Sequence, residues 1–274
     1  MSDSSATAAV SSTRRALVTG ASSGIGAAVA CRLAADGYEV HAVARRAERL
    51  DELVAAAEPP PTADGGSGVG AGAIVPHVLD VRDSEGLLAL VDEVEIDHGA
   101  IDVLINNAGL GLNRTLAEAS VDEITRLTDT NVTALMVATR AVLPAMIERR
   151  RGHIVNVGSM AGLYPVSAAI YGATKAAVNR LSTDLRLELR GTGVRVTEIN
   201  PGRVTTEFYD VAVDDPDERA KAKNTGVDEV TADDVADVIA YAVSVPRHVN
   251  INRIELQPTE QTYGGAQFDR VEGW

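Results

Sequence analysis

The stretch Thr19-Gly20-Ala21-Ser22-Ser23-Gly24-Ile25-Gly26 follows a short apolar run at 15–18 and leads directly into a helical pattern at 24–35. Glycines at this spacing let the backbone turn tightly and let a ligand approach without a Cβ in the way. The free N–H groups and the dipole of the following helix favour an anion, and the Ser22 and Ser23 hydroxyls add donors. Glycines also occur in ordinary turns, so the main evidence for a binding turn is its position between a predicted strand and a predicted helix. The stretch therefore predicts a strand–turn–helix unit with an anion-binding turn.

The same alternation of apolar runs and helical patterns continues along the chain. Strands are predicted at 15–18, 38–44, 73–79, 102–105, 153–157, 194–199 and 253–256. Helices are predicted at 24–35, 46–57, 84–98, 121–130, 132–149, 170–189 and 232–243. Strands separated by helices of this length imply right-handed crossovers and a parallel sheet covered on both faces. We therefore expect a single doubly wound α/β domain over residues 15–257, built on a parallel seven-stranded sheet.

The length and charge of the chain narrow the class of protein. A chain of 274 residues is long enough for one large domain with a substantial core. The formal net charge of −14 argues against nucleic acid or an anionic membrane surface as the main partner. Cys31 is the only cysteine, which excludes an intrachain disulfide and suits a reducing, cytoplasmic compartment. The longest apolar run, 132–147, is short and is interrupted by Arg140 and Pro144, so no membrane span is expected.

Three segments lie outside the alternation of strands and helices. Residues 1–14 are rich in Ser, Ala and Thr and lack a basic start followed by an apolar core, so we expect a disordered tail and not a secretory signal. Residues 58–72 are rich in Pro and Gly and are predicted to form a surface linker, because the alternation resumes directly after them. Residues 258–274 are predicted to form a C-terminal tail.

A second motif, Tyr171-Gly172-Ala173-Thr174-Lys175, lies in the predicted helix 170–189. Tyr171 and Lys175 would lie one helical turn apart on the same face, where an ammonium group favours ionisation of the phenol. Ser159 follows the predicted strand 153–157. Together these three side chains could bind and protonate a carbonyl oxygen, or deprotonate the corresponding alcohol. A Tyr and a Lys four residues apart are also common surface neighbours on a helix, so the pair alone leaves both interpretations open.

Six motifs fall in order along the chain: Thr19-Gly20-x3-Gly24-x-Gly26, Asn106-Asn107-Ala108-Gly109, Asn131, Ser159, Tyr171-x3-Lys175 and Pro201-Gly202. Together they resemble the classical short-chain dehydrogenase/reductase family, and the resemblance covers roughly residues 15–257. It implies a Rossmann-type fold. It also implies an oxidoreductase that interconverts a ketone or aldehyde and a secondary alcohol by hydride transfer with a nicotinamide cofactor.

The resemblance implies a role for each residue of the predicted catalytic set. Tyr171 is expected to act as general acid or base on the substrate oxygen, and Ser159 to hydrogen-bond the same oxygen. Lys175 is expected to lower the pKa of Tyr171 and to bind the nicotinamide ribose. Asn131 is expected to hold a water that connects Lys175 to solvent.

Cofactor contacts are implied at the ends of several predicted strands. Asp80 is expected to accept a hydrogen bond from the adenine amino group, and Val204 and Thr206 are expected beside the nicotinamide carboxamide. The full predicted set is Gly20, Ser22, Ser23, Gly24, Ile25, Gly26, Arg45, Arg46, Asp80, Val81, Asn107, Ala108, Gly109, Tyr171, Lys175, Pro201, Gly202, Val204 and Thr206.

The end of the second predicted strand bears on the choice between the two nicotinamide cofactors. An acidic residue there binds the ribose 2′-hydroxyl of NAD, whereas arginine suits the 2′-phosphate of NADP. The sequence Val43-Ala44-Arg45-Arg46 carries no acid and offers guanidinium groups for bidentate pairing, so NADP(H) is preferred. NAD(H) stays possible, because Ser22 and Ser23 stand where NADP-dependent members often carry a basic residue. Arg46 could equally be a solvated residue at the start of a helix.

The substrate is implied only as a class. The ending 249–261 resembles the family branch that oxidises 3-hydroxy acids, serine among them, and that branch also contains general carbonyl reductases. We expect a small or medium ketone or secondary alcohol, including a 3-hydroxy or 3-keto acid. The pocket is expected to be lined by 110–113 and 161–170, and by the segment 203–227, where the family places a mobile substrate lid.

Assembly and rival functions complete the sequence predictions. Members of the family usually form tetramers through two long helices, here 132–149 and 170–189, so a homotetramer is expected. A non-catalytic NADP-binding sensor or scaffold on the same fold is the main alternative, and a lyase or epimerase of the superfamily is another. The histidines are scattered in sequence without metal-ligand spacing, so no metal site is predicted: His41, His77, His98, His153 and His248.

Overall fold

The computed structural model describes residues 13–57, 72–166, 168–262 and 268–269. Its strands are β1 Arg14–Thr19, β2 Tyr38–Ala44, β3 Ala73–Val78, β4 Val103–Asn106, β5 Gly152–Val157, β6 Val194–Pro201, β7 Val204–Thr205, β8 Val230–Thr231 and β9 Arg253–Leu256. Seven of these strands form one parallel sheet in the order β3-β2-β1-β4-β5-β6-β9. β7 and β8 pair in a separate two-stranded sheet. The predicted doubly wound, Rossmann-type α/β fold is confirmed.

The strand order reverses at β1, which pairs with β2 on one side and with β4 on the other. At such a switch point the connections leave the sheet in opposite directions, and a crevice opens at the carboxyl ends of the two strands. The turn after β1 and the Asn-Asn-Ala-Gly motif after β4 therefore meet at the same edge of the sheet.

Helices cover both faces of the sheet. They are α1 Gly24–Ala35, α2 Ala47–Ala57, α3 Ser84–Asp97, α4 Val121–Thr128, α5 Ala134–Glu148, α6 Ala169–Glu188, α7 Phe208–Ala212, α8 Pro216–Lys223 and α9 Ala232–Ser244. Two of them begin with reciprocal capping boxes, Ser120 with Glu123 at α4 and Thr231 with Asp234 at α9. Each box satisfies two backbone donors that the first helical turn would otherwise leave unpaired.

The hydrophobic core consists of two layers, one on each face of the sheet. Side chains alternate along a strand, so Val18 of β1 faces the layer under α1 and α9, whereas Leu17 faces the layer under α3 and α5. Both residues are fully buried. Burial on both faces explains why the central strands read as continuous apolar runs.

The structure differs from the sequence prediction in two places. The predicted helices 121–130 and 132–149 form one continuous helical run, in which the π-helical turn Asp129–Thr133 joins α4 to α5. The segment 203–227 contains β7, α7 and α8, none of which was predicted. Elements this short show no hydrophobic period, and α8 is set locally by Pro216 in its first turn and by the Asp215 cap, which accepts from two backbone N–H groups at 2.9 Å.

Most of the two predicted tails and of the predicted linker lie outside the described residues. Of the predicted N-terminal tail 1–14, Arg14 opens β1. Of the predicted linker 58–72, Gly72 donates a hydrogen bond of 2.8 Å to the Ala34 carbonyl. Of the predicted C-terminal tail 258–274, Gln261 and Phe268 form an isolated antiparallel bridge.

Among the described residues, one helical run, Val121–Glu148, is long and apolar enough by length and composition to cross a membrane. This run is longer than the apolar stretch 132–147 considered from the sequence, because Arg140 and Pro144 do not interrupt the helix. The core helix of a globular domain passes the same test, and 44% of the apolar window is buried in the protein.

Candidate active site

A cleft of about 1240 Å³ lies at the carboxyl edge of the sheet. Every residue predicted to bind the cofactor or to act in catalysis lines this cleft, except Gly26 and Asn131. Motifs that are far apart in the sequence, from Gly20 to Thr206, are thus brought to one site.

The glycine turn is shaped by close contacts with the motif after β4. Gly20 has φ +69°, a left-handed conformation that favours glycine. A Cβ on Gly20 would lie 2.8 Å from the Ala108 Cα, so the two loops approach as closely as their backbones allow. Asn107 holds them together, because its Nδ2 donates to the carbonyl oxygens of Thr19 at 3.0 Å and Gly20 at 3.2 Å. Gly26 does not line the cleft; it gives the turn room to pack against Gly20 and Asn107.

Arg46 lies over the hydroxyls of the glycine turn. Its Nη2 donates to Ser23 Oγ at 2.7 Å and to Ser22 Oγ at 3.1 Å. These contacts disfavour the alternative in which Arg46 is only a solvated residue at a helix start. Arg45 is exposed at the cleft wall, near Asp80. The carboxyl end of β2 therefore presents two guanidinium groups to the cleft, beside the hydroxyls of Ser22 and Ser23.

Asp80 is held by a neighbour that the sequence analysis did not consider. Its carboxylate accepts from the Arg82 guanidinium at 2.6 Å and from the Arg82 backbone N–H at 3.0 Å. These hydrogen bonds keep the pKa of Asp80 below its usual value. Asp80 is therefore ionised at neutral pH and can only accept hydrogen bonds from a ligand in the cleft.

The segment after β6 closes the cleft from the side of α7 and α9. The Gly202 N–H donates to the Leu256 carbonyl at 2.7 Å, which ties the Pro201-Gly202 turn to β9. Val204 lies in β7, and the Thr206 hydroxyl accepts from the Phe208 N–H at 3.3 Å at the start of α7. The predicted contact residues of this segment therefore lie on a hydrogen-bonded wall of the cleft.

Ser159, Tyr171 and Lys175 meet in the cleft below the carboxyl end of β5. The Ser159 hydroxyl lies close enough to the Tyr171 phenol to act on the pKa of that phenol. The Ser159 N–H donates to Asn200 Oδ1 at 3.0 Å, which fixes the loop that carries the serine. Lys175 Nζ lies 5.9 Å from the centre of the Tyr171 ring and donates to the Val157 carbonyl at 2.8 Å. All three side chains thus line the same cleft, on the strand-end loop after β5 and on α6.

Burial dominates the protonation of Tyr171 and Lys175. It raises the pKa of Tyr171 to about 12, and the Ser159 hydrogen bond opposes this rise. Burial also lowers the pKa of Lys175 to about 8, opposed by the charge of Glu198. Removal from water is thus the largest influence on the Tyr171 phenol, and the lowering of its pKa by Lys175 stays a prediction. Tyr171 is a neutral phenol at neutral pH, the form that can donate a proton.

Asn131 lies in the π-helical turn between α4 and α5, behind the cleft wall. Its Oδ1 accepts from the Leu110 N–H at 2.7 Å, and its Nδ2 donates to the Leu110 carbonyl at 3.0 Å and to Thr174 Oγ1 at 3.0 Å. The side chain thus binds the loop after β4 to the helix that carries Tyr171 and Lys175. π-Turns of this kind are frequent at functional sites.

Several residues at the cleft were missed by the sequence analysis. Glu198 is fully buried in β6, where it accepts from Arg253 Nε at 3.2 Å and acts on Lys175. A charged residue inside an apolar strand is the signal that could have identified it. Gln261 and Phe268, assigned to the tail, line the cleft, and Gln261 Oε1 accepts from the Arg203 N–H at 2.8 Å.

Arg203 and the aromatic residues of the segment 203–227 form one packed unit at the mouth of the cleft. Arg203 is buried, pairs with Glu229 at 2.8 Å, and stacks its guanidinium 4.0 Å from the centre of the Tyr209 ring. Phe208 contacts Tyr171, with 5.5 Å between ring centres. Glu229 and Tyr209 give Arg203 a packing role, and Phe208 and Tyr209 place two aromatic rings against the pocket.

The sheet topology, the cleft at its switch point and the Ser159, Tyr171 and Lys175 group define an α/β oxidoreductase of the dinucleotide-binding type. The chain belongs to the short chain dehydrogenase family, whose family model matches residues 14–217. The family predicted from the motifs is confirmed.

Two relatives and one solved structure extend the match over nearly the whole chain. The NADP-dependent 3-hydroxy acid dehydrogenase of Salmonella typhi is 39% identical over 257 residues, which covers 93% of this chain and 98% of that protein. The serine 3-dehydrogenase of Rhizobium radiobacter is 38% identical over 256 residues, covering 93% and 97%. The closed form of a serine dehydrogenase complexed with NADP+ matches with a TM-score of 0.81 and 38% identity, over 94% of this chain and 100% of that chain.

Proposed function

We propose that this protein is an NADP(H)-dependent dehydrogenase that interconverts a 3-hydroxy acid and the corresponding keto acid. The observation that carries the proposal is the cleft itself, in which Arg46 covers two serine hydroxyls at one end and Ser159, Tyr171 and Lys175 meet at the other. The relatives named for NADP-dependent oxidation of 3-hydroxy acids, serine included, share 38–39% of their residues with this chain.

The residues at the end of β2 fit the 2′-phosphate of NADP(H). Arg46 offers a guanidinium fork, Ser22 and Ser23 offer hydroxyl donors, and Arg45 adds a second positive charge at the same wall. The segment Ala44-Arg45-Arg46 carries no acid to repel a phosphate. NAD(H) is the weaker alternative, because it carries no 2′-phosphate that could pair with Arg45 and Arg46. The nicotinamide cofactor supplies the hydride donor or acceptor when bound.

The chain's own residues handle the proton. Tyr171 donates a proton to the substrate oxygen in reduction and accepts one in oxidation, while Ser159 hydrogen-bonds the same oxygen. Lys175 supplies the positive charge beside the phenol and binds the nicotinamide ribose. Asn131 holds the loop after β4 against α6 and supports the relay by which Lys175 exchanges protons with solvent.

Lys221 is the residue we assign to recognition of the substrate carboxylate. It lies on α8 and lines the cleft at the mouth formed by the segment 203–227. No ion pair within 4.0 Å joins Lys221 to an acidic side chain in the described part of the chain, whereas Lys223 on the same helix pairs with Asp210 at 2.9 Å. A carboxylate entering the cleft would therefore meet an uncommitted ammonium group. A carbonyl reductase acting on uncharged ketones would have no need of it.

A non-catalytic NADP-binding sensor or scaffold remains the second candidate. Against it stands the complete set of Asn131, Ser159, Tyr171 and Lys175, because a protein that only binds a cofactor has no need of groups that move a proton to or from a substrate. Steady-state rates with NADP+ and NAD+ on serine and other 3-hydroxy acids test the proposal. A higher kcat/KM with NADP+ is expected, whereas the absence of turnover with every 3-hydroxy acid and every simple secondary alcohol would favour the sensor.

We further propose a cytoplasmic homotetramer that binds neither nucleic acid nor membranes. Exposed apolar side chains on the long helices, Met136 and Ile147 of α5 and Leu187 of α6, support burial of this face between subunits. The net charge of −14 and the single cysteine, Cys31, support a cytoplasmic protein without polyanionic partners. Monomeric elution in size-exclusion chromatography with light scattering would contradict the assembly.

A further inference from the structure

Three histidines that are far apart in sequence meet on one face of the sheet, away from the cleft. His41 lies in β2, His77 lies in β3, and His98 directly follows α3. His41 and His98 each contact Glu39, and His77 contacts His41. None of these four residues lines the cleft. These histidines are scattered in the sequence, but the parallel pairing of β2 with β3 and the return of the chain through α3 bring them together in the fold.

Glu39, His41 and His98 have the geometry of a metal-ligand set. His41 Nε2 lies 3.3 Å from Glu39 Oε1, and His98 Nδ1 lies 3.0 Å from the same oxygen. Each of the three residues offers one ligand atom, and these three atoms lie within 4.8 Å of one another. A tetrahedral zinc ion with bonds of about 2.0–2.1 Å separates its ligand atoms by about 3.3 Å. The two measured distances are thus close to the edges of such a tetrahedron.

The chemistry of the three groups also suits a divalent transition metal. Two imidazole nitrogens and one carboxylate oxygen form a common zinc ligand set. His41 is fully buried in β2, and its Nε2 lies 3.3 Å from the Glu39 carboxylate. The His98 side chain is 36% exposed, which gives an ion a path from solvent and leaves a position for water.

His77 orients His41 from behind. Its Nε2 lies 3.0 Å from His41 Nδ1. When His41 donates a hydrogen bond from Nδ1 to His77, its Nε2 carries a lone pair and no proton. This nitrogen and the Glu39 carboxylate oxygen are then both acceptors, and a cation between them satisfies both. A metal-binding histidine whose other ring nitrogen is hydrogen-bonded in this way is the usual arrangement at protein metal sites.

Arg15 is the neighbouring charge that the site must accommodate. Its Nε lies 3.2 Å from Glu39 Oε1, and its backbone N–H is held by Asp102 at 3.1 Å. Glu39 has a second carboxylate oxygen, so a metal on Oε1 requires only that the guanidinium move to Oε2. Glu93, near His77, adds negative charge on the same side.

We propose that Glu39, His41 and His98 form a binding site for Zn²⁺ or a similar divalent transition metal, with water as the fourth ligand. The site joins β2 to the end of α3, so an ion bound there stabilises the edge of the sheet remote from the cleft. Because a ligand that binds only the folded state raises stability by mass action, added Zn²⁺ raises the unfolding temperature. The proposal is independent of the cofactor and the substrate.

Calorimetric titration of the chelator-treated full chain with ZnCl2 tests the site. We expect about one Zn²⁺ per chain and at least tenfold weaker binding by His98→Gln, with His248→Gln as the matched exposed control that binds like wild type. Substituted Co²⁺ gives a second readout, a tetrahedral visible spectrum in wild type that Zn²⁺ abolishes. Equal Zn²⁺ affinity of wild type and His98→Gln, or no Zn²⁺ binding by wild type, would overturn the proposal. The cluster would then be held together by hydrogen bonds only.

Discussion

Arg46 Nη1 lies 3.2 Å from Glu207 Oε2, so the residue that covers the serine hydroxyls of the glycine turn is also paired with the segment leading into α7. The second oxygen of Glu207 lies 3.2 Å from Arg49 Nη2. A single carboxylate therefore bridges two guanidinium groups at the start of α2. It stands where we propose that the 2′-phosphate of NADP(H) binds, and it connects that site to the wall of the substrate pocket.

Glu207→Gln is expected to favour NADP(H) over NAD(H) more strongly than wild type does. The carboxylate competes with the phosphate for Arg46, and a neutral amide does not. We expect a severalfold lower KM for NADPH, because a surface ion pair of this kind contributes about 0.2–1 kcal/mol, with little change for NADH. Glu52→Gln, which removes the exposed partner of Arg49 at 3.3 Å, is the matched control. Equal changes for both cofactors would show that Glu207 does not compete with the phosphate.

Lys175→Met is expected to stabilise the fold while it abolishes turnover. Burial lowers the Lys175 pKa from 10.5 to about 8, so the folded state bears the cost of a buried cation at pH values below 8. Between pH 8 and 10.5 the unfolded chain binds more protons, and wild-type stability rises with pH through this window. The variant therefore gains on the order of 1–3 kcal/mol at pH 7, and its advantage shrinks towards pH 10.5.

Denaturant unfolding of the cofactor-free protein across this pH range measures the effect. Lys221→Met, at an exposed position, serves as the control and should show no comparable pH dependence. A Lys175→Met protein less stable than wild type at pH 7 would mean that the hydrogen bond to Val157 outweighs the cost of burying the charge.

Lys221→Met is expected to weaken the binding of charged substrates only. Loss of the ammonium should raise KM for a 3-hydroxy acid about 10-fold or more, since a hydrogen bond to a charged group is worth about 1.5–3 kcal/mol. The KM for an uncharged secondary alcohol of similar size should stay unchanged. Lys223→Met is the control, because Lys223 pairs with Asp210 and does not line the cleft. A similar loss for charged and uncharged substrates would refute the assignment.

Much of the fold and of the cleft follows from local sequence. The strand–turn–helix unit around Gly20 and the buried runs of β4 and β5 are specified by residues adjacent in the chain, and their predicted bounds agree with the structure to within about two residues. The Tyr171 and Lys175 pair is readable because a helix places residues four apart on one face.

What could not be predicted depends on contacts between distant segments. Glu207 meets Arg46 across 161 residues, and His98 meets Glu39 across 59, and neither pair has a linear pattern. The pKa of Tyr171 depends on how much water the folded cleft excludes. Its upward shift could therefore not be predicted from the presence of Lys175 one helical turn away. Gln261 looked like part of a tail, since its contact with Arg203 exists only once β6 and β9 are paired.

The most direct test of the account is the effect of Tyr171→Phe on turnover and on cofactor binding, measured on the same protein. The phenol is the proposed proton donor, and the substitution removes only its hydroxyl. We expect the rate of keto-acid reduction to fall by on the order of 10²–10⁴, while the fluorescence titration with NADPH stays close to that of wild type. A variant that retains more than about a tenth of the wild-type rate would contradict the role of Tyr171 as the general acid.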